Sequence, residues 1–194
     1  MLVESEYDVI SGYPKTVVVR DGTRVILRPM VAADRDMILE FFRGVPEEDR
    51  WYLKEDPTQD ETIEGWIRNL NYERVLPIVA EVNGRIVADA SLHRRHKGAF
   101  HFVGKVRVVV ATDFRRKGLG MWMLLDLVNI AMHARLDKLV AELVADKENP
   151  AIEAFKRVGF VPEATLSDMA RGTDGRNYDM VYLVKTFYPD WGDY

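Results

Sequence analysis

The sequence predicts a single α/β domain built around a mixed sheet. Three observations carry this expectation. The chain has 194 residues, the size of one domain with a sizeable core. Its period-two and helical-period segments come as strands, then helices, then an antiparallel meander, then β-α-β-α-β-β. No internal repeat and no low-complexity run interrupts that order.

The elements follow from local patterns. Residues 1–14 are polar and read as an N-terminal tail, and 189–194 as a C-terminal one, leaving 15–188 as the domain. KTVVVRDGTRVILR (15–28) places two β-branched runs around Asp21-Gly22 and reads as a hairpin. Met37, Ile38, Phe41 and Phe42 recur at helical spacing and predict a helix over 33–43. PEEDRWYL (46–53) opens with proline and reads as a short helical piece. Thr58 and Glu61 form a T-x-x-E capping box ahead of Ile63, Trp66, Ile67 and Leu70, which share one helix face. Strands are expected over 76–82 and 85–93 around the tight-turn pair Asn83-Gly84. RRHKG (94–98) reads as a turn, and 100–111 as the next strand. The helix over 118–134 is apolar nearly all round, with Asp126, Asn129 and His133 as its polar stripe, so it is expected to be mostly buried. A strand over 137–145, a helix over 149–160, a strand over 161–166, a polar loop over 168–177 and a strand over 178–187 complete the chain.

Composition excludes several functions. Hydrophobic residues are 47% and charged residues 30%, as in soluble globular proteins. The net charge of −4 gives no reason to expect a nucleic-acid partner. The absence of cysteine removes disulfides, thiolate zinc sites and cysteine nucleophiles. No compact His/Asp/Glu spacing suggests a metal site. The first residues carry no apolar core of signal-peptide length, and the longest apolar stretch (121–125) is too short to span a bilayer. The expectation is a cytoplasmic protein without a membrane partner.

One stretch stands apart. VATDFRRKGLGMWML (110–124) passes from a β-branched run through three consecutive cations and two glycines into an apolar helix-forming segment. A helix start leaves N–H groups unpaired and carries partial positive charge. A structural start would favour Asp or Ser there, not cations. Glycine lets a large anion approach the main chain, and a pyrophosphate is the natural guest. The Walker pattern is absent, and the dinucleotide fingerprint fails because position 123 is Met rather than Gly. What remains is R-x-x-G-x-G: Arg115, Gly118, Gly120.

VRVVVATDFRRKGLG resembles the acetyl-CoA loop of the GNAT superfamily of N-acetyltransferases. NPAIEAFKRVGF resembles that superfamily's next motif, and DGTRVILRPMVAADRDMILEFF its opening strand and first helix, including protein-lysine acetyltransferase-like members. The resemblance implies a mixed, mostly antiparallel sheet flanked by helices, with acetyl-CoA held in a V-shaped opening between two splayed central parallel strands. It implies that Val108, Val109 and Val110 present main-chain groups to the pantetheine arm and the thioester oxygen. It implies that Arg115, Arg116, Lys117, Gly118, Leu119 and Gly120 hold the pyrophosphate. Asn149 matches the position that bonds the cofactor arm, with one residue less to the aromatic than the motif has, and Phe155 could touch that arm.

Two positions depart from the motif. Phe155 stands where many members have a tyrosine that protonates the leaving thiolate. Lys105 stands where some have a glutamate base. The base must be sought elsewhere. Glu142 lies mid-strand on the far side of the expected opening and could serve, or be a paired strand carboxylate. Asp89 alternates with Val87, Ser91 and His93 on one strand face. It could be a base; a hairpin centred near residue 98 would instead pair it with Arg107. His93 and His101 read as surface residues near the hairpin end.

The leading expectation is acetyl transfer from acetyl-CoA to a primary amine, on a small molecule or a protein lysine, by direct attack in a ternary complex. A backbone N–H near Val109 or Val110 would stabilise the oxyanion. The rivals are a GNAT-fold sensor of acyl-CoA with little turnover, favoured by Phe155 and Lys105, and a phosphate-ligand protein of another kind. Asp34, Asp36, Glu47, Glu48, Asp168 and Asp174 make the expected acceptor regions acidic, which suits a cationic acceptor or is solvated loop charge. A homodimer is compatible with the resemblance.

Overall fold

A computed structural model describes residues 10–188. Of the N-terminal tail expected over 1–14, residues 1–9 lie outside the described residues, as does the C-terminal tail expected over 189–194. The strands are β1 (Lys15–Val18), β2 (Arg24–Pro29), β3 (Val75–Val82), β4 (Arg85–His93), β5 (Val103–Val110), β6 (Lys138–Val144), β7 (Val161–Arg171) and β8 (Asn177–Thr186). The helices are α1 (Arg35–Gly44), α2 (Glu47–Arg50), α3 (Asp60–Arg68), α4 (Leu119–His133) and α5 (Asn149–Arg157). The strands form one sheet in the order β1-β2-β3-β4-β5-β6-β8-β7. Every neighbouring pair is antiparallel except β5–β6.

The sheet is covered on both faces, which makes two cores. On one face Ala88, Ala90, Leu92, Val106 and Leu139 meet Leu119, Met123 and Leu127 of α4. On the other Val79, Ile86 and Ala111 meet Ile38 and Phe42 of α1 and Ile63 of α3. Alternation along β4 sends Ala88, Ala90 and Leu92 to the α4 side, so Asp89, Ser91 and His93 face the α1 side. The β3–β4 turn is tight because Asn83 and Gly84 both take positive φ, 50° and 76°. Asp34 is 1% exposed and is held by a two-point contact with Arg28 at 2.7 and 2.8 Å. Burial opposes its charge, but Arg28 and the Val31 N–H outweigh that and keep its carboxyl below the usual range.

Several expectations are corrected. The Thr58–Glu61 capping box does not form: Gln59 is the N-cap of α3, and the Thr58 hydroxyl donates to Asp56 instead. The strand expected from residue 100 begins at Val103, and Phe100 is exposed. The helix α5 stops at Arg157, short of Gly159. The polar loop expected over 168–177 is half strand: β7 runs to Arg171, with a register shift between Leu166 and Ala170, and a turn over 172–176 leads into β8. Alternating polar residues suit a two-stranded ribbon with solvent on its faces. The helix α4 is mostly buried as expected, but its exposed side includes the apolar Trp122, Leu125 and Met132 at helical spacing. Its Asp126 is instead half-buried, accepting from Lys15 at 2.6 Å and from the Tyr13 hydroxyl. That contact fixes residues around Tyr13 against the core, where a loose tail was expected.

Candidate active site

The site begins where two strands part. β5 and β6 pair only over Val103–Lys138, Gly104–Leu139 and Lys105–Val140. Beyond that, β5 stays paired with β4 as far as Val110, and β6 stays paired with β8 as far as Val144. The two therefore diverge in a V. Ala111 donates to Val87 of β4, so odd-numbered positions of β5 turn their main chain toward β4. By that alternation Val108 and Val110 turn theirs into the V, whereas Val109 does not. The Val110 carbonyl is taken by Arg115 Nε at 3.0 Å; its N–H stays on the open side. Gly104, at the apex, is required by packing: an added Cβ would lie 2.8 to 2.9 Å from Leu136, Leu139 and Leu92.

The mouth of the V leads to the start of α4. This helix has no side-chain cap and no acidic residue in its first turn. Its first N–H groups thus lack partners within the helix. Gly118 adopts φ 88° at the N-cap, a conformation glycine takes without strain. A Cβ on Gly120 would lie 3.4 Å from Val110 Cγ2, so the glycine keeps the space between helix start and strand end clear. Leu119 is fully buried and anchors the turn. An uncapped, glycine-lined helix start of this kind attracts an anion.

The three cations differ. Arg115 braces the loop, reaching Asp49 of α2 at 2.8 Å as well as Val110. Lys117 pairs with Asp21 of the β1–β2 turn at 2.8 Å and lies over the Phe114 ring. Arg116, at φ 61°, makes no hydrogen bond or ion pair among the described residues. Arg20 joins them: its main-chain N–H bonds the Lys117 carbonyl, and its Nε lies 3.7 Å from where a Gly118 Cβ would be. Sequence reasoning missed Arg20, because only the fold of the first hairpin brings it there.

The floor of the V is made of side chains on the α1 side. Asp89 lies between Val79 of β3 and Val109 of β5. Among the described residues its carboxylate has no hydrogen-bond or ion-pair partner, and burial pushes its pKa up to about 7. The ion pair expected with Arg107 is absent: the register sets Arg107 opposite Ser91, one step along. Arg107 reaches across the V to Glu148 at 3.3 Å, through one terminal nitrogen, and its Nε is buried without a partner. Glu148 also accepts from the Val144 N–H at 2.8 Å, and burial raises its pKa. His93 contacts the Ser91 hydroxyl at 3.1 Å. Burial, then Lys54 and Lys105, lower its pKa, which keeps it neutral at neutral pH.

Glu142 reaches the same face but is engaged by the Lys105 ammonium. Asn149 is exposed, with Oδ1 accepting from the Asp146 N–H at 3.0 Å, so it closes the turn after β6. Phe155 is buried, with its ring edge-on to Phe160 at 4.9 Å. Three of the six carboxylates expected in the acceptor regions are engaged by neighbouring side chains. Asp34 is buried against Arg28, Asp36 meets Arg35, and Asp174 accepts from Tyr178 and faces Lys147. His101 bonds the Gly98 carbonyl at the opposite end of the sheet.

A sheet splayed at its one parallel junction, opening onto an uncapped helix, defines an acyl-CoA type of architecture. The chain belongs to the GNAT acetyltransferase family, whose model matches residues 37–160. Members of this family use acetyl-CoA and act on amine acceptors. Solved structures share the fold. A GNAT-family acetyltransferase from Streptococcus pneumoniae is 17% identical with a TM-score of 0.73, covering 84% of this chain and 99% of its own. The ribosomal-protein-alanine N-acetyltransferase from Brucella melitensis is 24% identical with a TM-score of 0.70, covering 83% and 99%. A Salmonella typhimurium protein described as an acetyltransferase, solved with its cofactor acetyl-CoA, is 20% identical with a TM-score of 0.71, covering 86% and 98%. No curated protein matches the chain. Among the described residues no helix is long and apolar enough to cross a membrane.

Proposed function

We propose that the protein transfers an acetyl group from acetyl-CoA to a primary amine in a ternary complex. The observation that carries this reading is the divergence of β5 from β6 beyond Lys105–Val140, ending at the uncapped start of α4. The residues fit the co-substrate. The first-turn N–H groups at Gly118, Leu119 and Gly120 face a diphosphate, with Arg116 and Arg20 as side-chain donors and Arg115 and Lys117 as braces. Val108 and Val110 offer main-chain groups to the pantetheine arm, Val109 supports them through its packing, and Phe155 and Asn149 border the arm from α5. When bound, acetyl-CoA supplies an activated acyl carbon and a thiolate leaving group.

This chain's own residues then handle position and protons. The Val110 N–H donates to the carbonyl oxygen as it gains charge. Asp89 accepts the proton that the amine loses on forming the new C–N bond. A carboxylate with pKa about 7 is a competent base at neutral pH. Asp89 is preferred over Glu142 because Lys105 already holds Glu142. Phe155 has no proton to give, so sulfur departs as thiolate or is protonated by water. With no cysteine in the chain, no cysteinyl acyl-enzyme intervenes, and the kinetics are sequential.

The test is release of free thiol from acetyl-CoA against a panel of amines, amino acids, polyamines and lysine peptides. Amine-dependent release with intersecting initial-rate lines is expected; parallel lines contradict the ternary complex. The engaged Glu142 and the proton-less Phe155 favour a second reading, an acyl-CoA sensor. Tight CoA binding without amine-dependent release would select it.

A further inference from the structure

At the closed end of the V, away from its mouth, two turns border a cavity of about 290 Å³. One is the β4–β5 turn over 94–102, and the other joins α4 to β6 over 134–137. They are tied together at the root of β5, where the Phe102 carbonyl accepts from the N–H groups of Asp137 and Lys138 at 2.9 and 3.2 Å. Three guanidiniums, those of Arg94, Arg95 and Arg135, line the cavity, with Asp137 as the single carboxylate. That is a formal charge of +2 before either lining histidine is counted, in a chain whose net charge is −4. Phe102 and the buried Leu136 give the cavity an apolar wall.

The fold accounts for only one of these cations. Arg94 braces the turn, donating to the Tyr72 carbonyl at 2.5 Å. Arg135 follows α4, where a cation can serve to complement the helix end. Here the main chain already closes that end: the Leu136 N–H bonds the Ala131 carbonyl and the Arg135 N–H the Met132 carbonyl, both at 3.0 Å. This closure holds Arg135 at φ 52°, in the position that glycine usually fills. The side chains of Arg95, Arg135 and Asp137 make no hydrogen bond or ion pair among the described residues, and Arg95 only lies over the Phe100 ring at 5.9 Å. Like charges gathered around one concavity repel, and an anion between them relieves the repulsion. We propose that this cavity is a second ligand site, for a compact organic phosphate whose phosphate group pairs with Arg95 and Arg135 and whose body lies against Phe102 and Leu136. The guanidinium fork matches phosphate oxygens two at a time. Cavities for small ligands start at roughly 300 Å³, so the space suits a small molecule. The whole of β5, about 25 Å at roughly 3.3 Å per residue, lies between this site and the mouth of the V. The inference does not depend on acetyl transfer.

The experiment is calorimetry on the full chain saturated with CoA, which keeps the diphosphate seat at the mouth occupied. The probes are phenyl phosphate, inorganic phosphate and phenol. Phenyl phosphate should bind one to one, more tightly than inorganic phosphate, while phenol should not bind. Arg95→Met and Arg135→Met should each weaken phenyl phosphate by about 10-fold, and the double variant should abolish its binding. Lys97→Met removes the same charge from the same turn without touching the cavity, so it should leave the affinity within about 2-fold. An unchanged thermal midpoint in each variant shows that the fold survives. These variants locate the site whether or not CoA occupies the mouth, so a failure of the acetyl-transfer reading leaves the result intact. Absence of saturable phenyl phosphate binding, binding that survives in the double variant, or an equal loss in Lys97→Met overturns the proposal.

Discussion

The mouth of the cleft and its floor are built from different materials. At the mouth, between Val108 and Gly120, the groups proposed to bind are main-chain N–H groups, and the side chains mostly brace or keep clear. On the floor, at Asp89, Arg107 and Glu148, the candidate groups are side chains placed by strand register. A main-chain site depends on conformation and empty space, so it is broken by adding atoms. A side-chain site depends on identity and charge, so it is broken by removing them.

The largest expected effect lies at the mouth. Gly118→Val with Gly120→Trp should weaken CoA binding by more than about 100-fold in calorimetry, because valine is strained at φ 88° and the indole fills the space beside Val110. The single Gly120→Ala should be far milder, since its Cβ meets Val110 at 3.4 Å. If the double variant binds CoA normally, the mouth is not the seat.

Next comes the apex, where the two regions join. Gly104→Ala drives a methyl to within 2.8 Å of two leucines, and should cost about 1–3 kcal/mol of stability by denaturant unfolding. A smaller effect is expected at Arg20 and Arg116. Replacing both by alanine should weaken CoA several-fold, with the loss shrinking as salt is raised. Smallest is Phe155→Tyr, which should change kcat by no more than about 3-fold, because that ring packs against Phe160.

Asp89 also links the floor to stability. Its pKa is 3.8 in the unfolded chain and about 7 when folded. The stability it contributes is fully present below 3.8 and is lost as pH rises through about 7. Asp89→Asn should therefore have the higher Tm at pH 8, with the difference vanishing at low pH. An unchanged Tm at pH 8 would show the carboxylate to be well solvated.

The two regions also differed in how they could be read from sequence. The mouth is contiguous: strand, cations, two glycines and helix follow one another within 108–120, so the proposed seat for a diphosphate could be read without the fold. The floor depends on pairing between residues far apart. Centring the β4–β5 hairpin at 98 pairs Asp89 with Arg107; the real centre falls one residue later, and Arg107 faces Ser91 instead. That small shift keeps both side chains on the same face but leaves them unpaired with each other, so Asp89 stands without a partner among the described residues while Arg107 turns to Glu148. The α5 contact at Glu148 and the approach of Arg20 are likewise products of tertiary structure. The 168–177 hairpin was missed for another reason: a ribbon with polar residues on both faces has no hydrophobic alternation to reveal it.

The most direct test of the account is the pH dependence of kcat for amine-dependent thiol release, in wild type and Asp89→Asn, with CoA affinity measured alongside. The wild-type rate should rise through an apparent pKa near 7. The variant should lose that limb and about 100-fold or more in kcat while binding CoA as before. A variant that keeps both its rate and its limb would show that the amine's proton goes elsewhere, and the floor would lose its assigned role.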